Sequence, residues 1–274
     1  MKHQCLFAAC LALAACSSSN SGSSPAADSG SAIDSTPADS TSADSGSDAA
    51  VSTFCTSQAG AFVCIDFDPP RDGLSWFTAG SSNTGGGASV IDKTSSVSAP
   101  NSAKFTVVAG PSDQSANVSF KGPSSGTVGK QSLAFQLHID PSCAPPAGAS
   151  SGVAIVAFNF ALTGAAPEGE IALAIVPDGA AIAERPRTAS GLGATTLHPL
   201  PKLPVGKWVP VTLTFDPSAQ TVAVGVDGAP ATTVTLTALA TSGIGSSIFL
   251  TVGPTNMFVM PSCALGFDNV VWLK

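Results

Sequence analysis

Residues 206–228, with the sequence GKWVPVTLTFDPSAQTVAVGVDG, decide the fold of this chain. From Trp208 to Phe215 apolar side chains fall at every second position, and in residues 221–226 three valines do the same. Side chains of a β-strand alternate between the two faces of a sheet, so this spacing predicts two strands that each bury one face. Asp227-Gly228 is typical of a tight hairpin turn. The stretch therefore predicts antiparallel β-structure.

The same period of two recurs along the rest of the chain. Residues 132–139 alternate in this way, and residues 61–67 place Val63, Ile65 and Phe67 on one face. No window shows the apolar stripe of a long helix, while 21 prolines and 27 glycines punctuate the sequence. Many short strands separated by turn residues predict an all-β fold, an antiparallel two-sheet sandwich or jelly roll.

A resemblance to a known family adds to this prediction. Gly206-Lys-Trp208 opens one strand, Asp227-Gly228 ends the next, residues 266–272 resemble a closing strand and Cys64-Ile-Asp66-Phe67-Asp68 resembles an opening one. In this order the pieces resemble concanavalin-A-like and laminin-G-like jelly rolls. The resemblance implies a lectin-like β-sandwich over residues 53–274. That superfamily includes binding and adhesion modules as well as glycan hydrolases and lyases, so the fold leaves the function open.

The N-terminus predicts export and a lipid anchor. A ten-residue apolar run follows Lys2, which is too short to span a bilayer but long enough for a secretory signal. Leu13-Ala14-Ala15-Cys16 resembles the lipobox of bacterial lipoproteins, which implies removal of residues 1–15 as a signal peptide and acylation of Cys16. Ser17 resembles an outer-membrane address, so we expect the bilayer as a partner. The alternative is an ordinary signal peptide with Cys16 incidental.

Residues 16–52 are predicted to form a disordered tether. After Cys16 the segment consists almost wholly of Ser, Ala, Asp, Gly, Thr and Pro, with five acids and no Lys or Arg. Such a composition cannot bury enough apolar surface to offset the entropy of ordering the backbone. The remaining domain keeps only a slightly acidic balance, and no basic patch points to nucleic acid. We expect a monomer.

Four cysteines besides Cys16 remain after processing. An even number of cysteines in an exported domain favours disulfides. Cys55 lies nine residues before Cys64, and Cys143 and Cys263 each stand in a Pro-Ser-Cys-Ala string. We interpret them as Cys55–Cys64 and Cys143–Cys263 bridges, with free buried thiols as the alternative.

Candidate site residues are few, and none is predicted to be catalytic. Gln136-Leu-His138 resembles the Gln-x-His of alginate-lyase-like members, but the chain has no tyrosine to act as the usual proton donor. We expect Gln136, His138 and Asn159 to share the hollow face of one sheet as ligand contacts, with Trp76 near a loop. Glu168-Gly-Glu170 is interpreted as a pair of solvated acids. The other tryptophans, 208 and 272, are expected in the core.

Three aspartates suggest a metal. Many jelly rolls of this superfamily hold one structural calcium ion beside the first and last strands, and carboxylate oxygens suit that ion. The resemblance therefore implies calcium at Asp66, Asp68 and Asp268, and no other cofactor is expected. The alternative is that these are turn and edge acids without a ligand.

These observations favour a cell-envelope lipoprotein that displays a non-catalytic lectin-like binding or adhesion domain, with carbohydrate as the ligand. The first alternative is a polysaccharide lyase or glycoside hydrolase of the same fold. The second is a structural envelope protein that contacts another envelope protein and has no small ligand.

Overall fold

A computed structural model describes residues 54–69, 81–109, 114–122, 128–143, 145, 152–163, 168–188, 191–238, 243–256 and 262–274. These residues form two antiparallel sheets, with short 3-10 helices at Cys55–Ser57 and Pro141–Cys143 and no α-helix. The prediction of an antiparallel two-sheet jelly-roll sandwich is therefore confirmed. The lipobox, the predicted tether and Trp76 lie outside the described residues.

The strands of the first sheet are β1 (Val63–Ile65), β3 (Ala88–Asp92), β4 (Ser102–Val107), β6 (Gln131–Ile139), β12 (Trp208–Asp216), β13 (Thr221–Val226), β14 (Thr232–Thr235) and β16 (Cys263–Leu273). They lie side by side in the order β14-β13-β12-β6-β16-β4-β3, and β1 pairs with the far half of β16. The last strand of the chain thus lies in the middle of this sheet, between β6 and β4.

The strands of the second sheet are β2 (Ser81–Thr84), β5 (Ser115–Lys121), β7 (Val153–Thr163), β8 (Glu168–Val176), β9 (Gly179–Thr188), β10 (Gly191–Leu192), β11 (Thr196–Leu200) and β15 (Gly243–Asn256). They lie side by side in the order β10-β9-β8-β7-β15-β5-β2, and β11 pairs with β9. Sequential strands repeatedly cross from one sheet to the other, so residues far apart in sequence share each face.

The alternation of apolar residues predicted from the sequence determines which side chains form the core. In β12 the residues at positions 209, 211, 213 and 215 are buried and those between them are not, and β6 alternates in the same way. Trp272 is fully buried, as expected, and its indole N–H donates to Gln131 Oε1 at 2.9 Å. Fully burying one such apolar side chain stabilises the fold by roughly 1.5–3 kcal/mol. The expectation that Trp208 also belongs to the core is wrong, because it lies half-buried on an outer face.

The hairpin turn predicted at Asp227-Gly228 forms between β13 and β14. Both residues have positive φ angles, 54° and 73°, as the mirror-image turn that joins twisted strands requires. By contrast, β9 is a strand that the sequence patterns did not predict. Its segment is rich in alanine and contains a proline and two arginines, which are depleted or unusual in strands.

Two disulfides cross-link the domain with the pairing that the sequence analysis favours. Cys55 is joined to Cys64 and Cys143 to Cys263, closing loops of 9 and 120 residues. The second bridge ties the 3-10 helix after β6 to the start of β16. Across the described ranges, no helix is long and apolar enough to cross a bilayer.

Removing the Cys143–Cys263 bridge should destabilise the domain more than removing Cys55–Cys64. Chain entropy in the unfolded state predicts a loss of about 4.7 kcal/mol for a loop of about 100 residues and about 3 kcal/mol for one of about 15. Double Cys→Ala variants at each bridge serve as controls for one another in urea unfolding. An equal or smaller loss for the Cys143/Cys263 variant would contradict this account.

Candidate active site

The structure separates the residues that the sequence analysis placed on one face. Gln136 and His138 lie on β6 in the first sheet, whereas Asn159 lies on β7 in the second. The outer faces of a sandwich point in opposite directions, so the expectation of one shared face is wrong. Alternation along a strand shows that a residue points outward, but it does not show to which sheet the strand belongs.

A row of polar and charged side chains crosses the outer face of the second sheet. Asn159 on β7 is the register partner of Glu170 on β8, and Glu170 is the partner of Arg185 on β9. Paired residues of antiparallel strands point to the same face with Cβ atoms about 5 Å apart. The three side chains therefore form one continuous group.

Arg185 and Glu170 form an ion pair within this row. The Nε atom of Arg185 donates to Glu170 Oε1 at 2.9 Å, and its Nη2 atom donates to the same oxygen. The two side chains are only 10% and 18% exposed, so the pair is partly desolvated. An ion pair in such a place has to offset the loss of hydration, and it is fixed more firmly than an exposed pair.

Hydroxyl and amide groups continue this surface across β15 and β5. The Asn159 side-chain amide donates to Thr251 Oγ1 at 3.3 Å, and the Asn117 amide donates to Thr255 Oγ1 at 3.1 Å. Together they line a groove whose walls are Ser82, Asn117, Ala154, Val156, Ala157, Asn159, Glu170, Arg185, Thr251, Gly253 and Thr255. We call this surface the second-sheet groove.

Small side chains lie beside the charged row. The outward positions of β7, β8 and β9 carry a cluster of alanines at Ala154, Ala157, Ala172, Ala174 and Ala183. All five are buried, and Ala172, Ala174 and Ala183 are fully covered. The accessible part of the groove therefore lies at the charged and hydrogen-bonding groups.

His198 does not contribute to this groove. Its Nε2 atom lies 2.9 Å from Oε2 of Glu184, which is fully buried on the inward side of β9. The same oxygen accepts the backbone N–H of Thr237 at 2.9 Å. Since β11 and β9 belong to the second sheet and Thr237 follows a strand of the first, this cluster joins the two sheets at their edge.

The three aspartates expected to bind calcium are all buried. Both oxygens of Asp268 accept backbone or hydroxyl hydrogens, including the N–H groups of Val97 and Ser98 at 2.8 and 2.9 Å. Asp68 Oδ1 accepts the N–H of Asn101 at 2.9 Å. In the part of the chain that the structure describes, no three His, Cys, Asp or Glu side chains are close enough to share one metal ion. Calcium at this place stays a prediction.

Burial raises the pKa of two of these carboxyl groups above the ordinary value of 3.8. For Asp68 the desolvation is partly offset by the hydrogen bond from Asn101, while the charges of Asp66 and Asp268 raise the pKa further. For Asp268 burial outweighs the hydrogen bonds from residues 97 and 98. Ionisation of these acids at neutral pH therefore opposes folding.

The comparisons with known proteins bear on the fold. No protein-family model matches the chain, and no curated protein matches its sequence. Among solved structures, an endo-β-1,4-glucuronan lyase from the fungus Trichoderma reesei matches with a TM-score of 0.56 and 12% identity, covering 78% of this chain and 95% of its own. The cellulose induced protein Cip1 matches with a TM-score of 0.51 and 13% identity, covering 77% and 96%. At such identities the likeness establishes the shared sandwich fold.

These structures correct the leading functional interpretation. The interpretation of the domain as a non-catalytic lectin-like binding or adhesion module is wrong. The first matching structure is a polysaccharide lyase whose whole length the chain nearly covers. The first alternative, a polysaccharide lyase or glycoside hydrolase of the same fold, is therefore the one to be proposed.

The sequence analysis also missed Arg185 and undervalued Glu170. Val176-Pro-Asp-Gly179 contains a Pro-Asp-Gly turn signal, and the hairpin that it forms brings Glu168 into register with Arg187 and Glu170 with Arg185. Acids and bases at matching distances on either side of such a turn could have identified this hairpin. They would also have placed Glu170 and Arg185 on one face.

Replacing Asp68 by Asn should raise the melting temperature at pH 7. Because its folded pKa is raised, the carboxyl contributes stability that is present below pH 3.8 and lost as the pH rises through the folded value. Asn keeps the oxygen that accepts from Asn101 and removes the charge. A gain of about 2–4 °C per kcal/mol is expected for a domain of this size, shrinking as the pH approaches 3.8.

Asp227→Asn is the matched control, because Asp227 is exposed and has the positive φ that Asn tolerates. A lower melting temperature for Asp68→Asn at pH 7 would contradict the charge argument. The same melts with calcium test the metal prediction, since a bound ion should stabilise the wild type and lose its effect in Asp68→Asn.

Proposed function

We propose that this chain is a polysaccharide lyase that cleaves a uronate-containing glycan in the second-sheet groove. The observation that carries the proposal is the partly desolvated Arg185–Glu170 pair beside Asn159 in the groove on the outer face of the second sheet. The shared fold with a glucuronan lyase supports it, because nearly the whole length of that enzyme is matched.

Arg185 and Asn159 are suited to bind the carboxylate of a uronate. A guanidinium presents five N–H donors in a fixed plane, and Arg185 directs its Nε and Nη2 atoms to Glu170, so its remaining donors serve the substrate. Neutralising the uronate carboxylate makes the neighbouring C5–H more acidic, because negative charge that develops at C5 spreads onto that group.

Glu170 is then the general base. The described residues of the groove include no histidine, and the chain has no tyrosine, so a carboxylate has to take the proton. Lys121 lies in the same row, but three strand spacings of about 4.8 Å separate it from Glu170, too far for both to act on one carbon.

The elimination follows from these positions. Oε2 of Glu170 removes the C5 proton, the C5–H electron pair forms the C4=C5 double bond, and the C4–O4 bond breaks. The leaving O4 then takes the proton from the newly formed carboxylic acid. The glycan is cut without consuming water, and Arg185 keeps Glu170 oriented throughout.

Glu170→Gln should abolish activity and leave the fold unchanged. The amide keeps the size of the side chain but cannot accept the C5 proton, so a loss of about 10²–10⁴-fold is expected, the usual contribution of general base catalysis. The assay follows the ultraviolet absorbance of the new double bond with polyglucuronate and alginate as substrates.

Asp227→Asn is again the matched acid-to-amide control, here on the first sheet, and should keep full activity. Arg185→Lys should lower the activity because a lysine cannot hold Glu170 and the uronate together. Full activity in Glu170→Gln would refute the proposal. New reducing ends without the double bond would show a hydrolase instead of a lyase.

We further propose that the enzyme is held at the outer membrane through an acylated Cys16. The lipobox resemblance of residues 13–16 and the Ser at position 17 support this location. A single acyl chain anchors only marginally, so two or three chains on Cys16 would be needed for stable attachment. Residues 16–52 would then serve as a spacer that carries the domain of residues 53–274 towards surface glycans.

Cys16→Ser should move the protein from the membrane fraction to the soluble exported fraction. The substitution removes the thiol that carries the first acyl chain but leaves the apolar run that directs export. Ser17→Ala, next to it, should stay with the membrane. Mass spectrometry of the wild-type N-terminus should show an acylated Cys16, and an unmodified cysteine would refute the anchor.

A further inference from the structure

A tryptophan side chain extends across the outer face of the first sheet. By register, Trp208 on β12 pairs with His138 on β6, which pairs with Gly266 on β16, which pairs with Lys104 on β4. The Trp208 and His138 ring centroids are 5.5 Å apart. The indole thus extends from its own strand over β6 towards β16.

Gly266 makes room for this arrangement. A Cβ atom at position 266 would lie 2.8 Å from Cη2 of Trp208 and 3.2 Å from Cζ2, closer than van der Waals contact allows. The Cη2–Cζ2 edge of the indole therefore lies against the bare backbone of β16. The ring also lines a surface cavity, so part of it stays accessible.

The indole is also fixed at its polar edge. Its Nε1–H donates to Ser95 Oγ at 3.0 Å, from the loop between β3 and β4. A tryptophan that merely filled the core would be fully buried, as Trp272 is, whereas Trp208 is half-buried. An aromatic ring that is fixed and partly accessible loses little conformational entropy when a ligand packs on it.

Charged groups surround the ring in a cavity. Asp92, Asp140, Lys104 and His138 line it together with Trp208. Burial acts to raise the pKa of Asp92, but hydrogen bonds from the Thr94 hydroxyl and N–H outweigh it and hold this pKa below its usual value. Hydrogen bonds from Ser142 lower the pKa of Asp140. Both aspartates are ionised acceptors at neutral pH.

We propose that this surface, Trp208 with Asp92, Asp140, Lys104 and His138, is a second glycan-binding site that takes a neutral hexose of a polysaccharide. The apolar C–H face of an equatorial sugar ring packs on the indole, while carboxylate oxygens and Lys104 Nζ hydrogen-bond its hydroxyls. Two aspartates and one lysine give the site a net negative charge, which disfavours binding of a negatively charged uronate. The site lies on the sheet opposite the second-sheet groove, and its existence does not depend on the proposed elimination.

Calorimetry of the purified full chain with cellohexaose, a neutral glycan of equatorial rings, tests this site. The wild type should bind, and Trp208→Ala should weaken binding at least about tenfold, which corresponds to ~1.4 kcal/mol. Gly266→Ala keeps the indole but displaces it, and should weaken binding similarly. Gly225→Ala is the matched control, because its Cβ on the same outer face would meet Thr212 and not the indole.

The outcomes separate this site from the groove. Glu170→Gln should bind cellohexaose as the wild type does, whatever its effect on cleavage. No binding by the wild type, or equal binding by a folded Trp208→Ala variant, would overturn the proposal. Binding that is lost in Asn159→Ala and kept in Trp208→Ala would assign cellohexaose to the groove, and this proposal would be wrong. Thermal melts establish that each variant is folded.

Discussion

The shared core between two sheets is the constraint on which the rest of this structure depends. Every strand has to give one face to the interior, because a single sheet cannot bury its apolar side chains alone. Because successive side chains of a pleated strand point to opposite faces, the residues between the buried ones must point outward. Each chemical feature of the outer faces is therefore held in place by the packing beneath it. Arg185 stands between fully buried Glu184 and partly exposed Pro186, and Trp208 precedes fully buried Val209.

The two outer faces differ in their chemistry. The second sheet carries an ion pair, amides and hydroxyls, which suit a charged polymer. The first carries an indole laid on the backbone of Gly266 with a net acidic rim, which suits an uncharged ring. A sandwich with one face for cleavage and another for attachment would hold a polymer while cutting it. The shared core lies between the two surfaces.

The candidate groove also shows how a site arises from ordinary antiparallel pairing. Asn159, Glu170 and Arg185 come from three successive strands joined by short connections, and register alone brings them side by side. The inter-sheet cluster of Glu184, His198 and Thr237 fixes β9 from below, since Glu184 precedes Arg185 directly. The position of the guanidinium is thus set both by its partner on the outer face and by a buried acid on the inner face.

The sequence by itself determined the fold class, the buried faces of β6 and β12, the turn at Asp227-Gly228 and the disulfide pairing. Each of these depends on local spacing or on a small number of possible pairings. It did not determine that Gln136 and His138 lie on a different sheet from Asn159, that Arg185 meets Glu170, or that Trp208 lies on the surface. Only the tertiary structure decided these, because a period of two says which way a side chain points relative to its own strand. Which sheet receives that strand, and which neighbours stand beside it, depend on how the whole chain pairs.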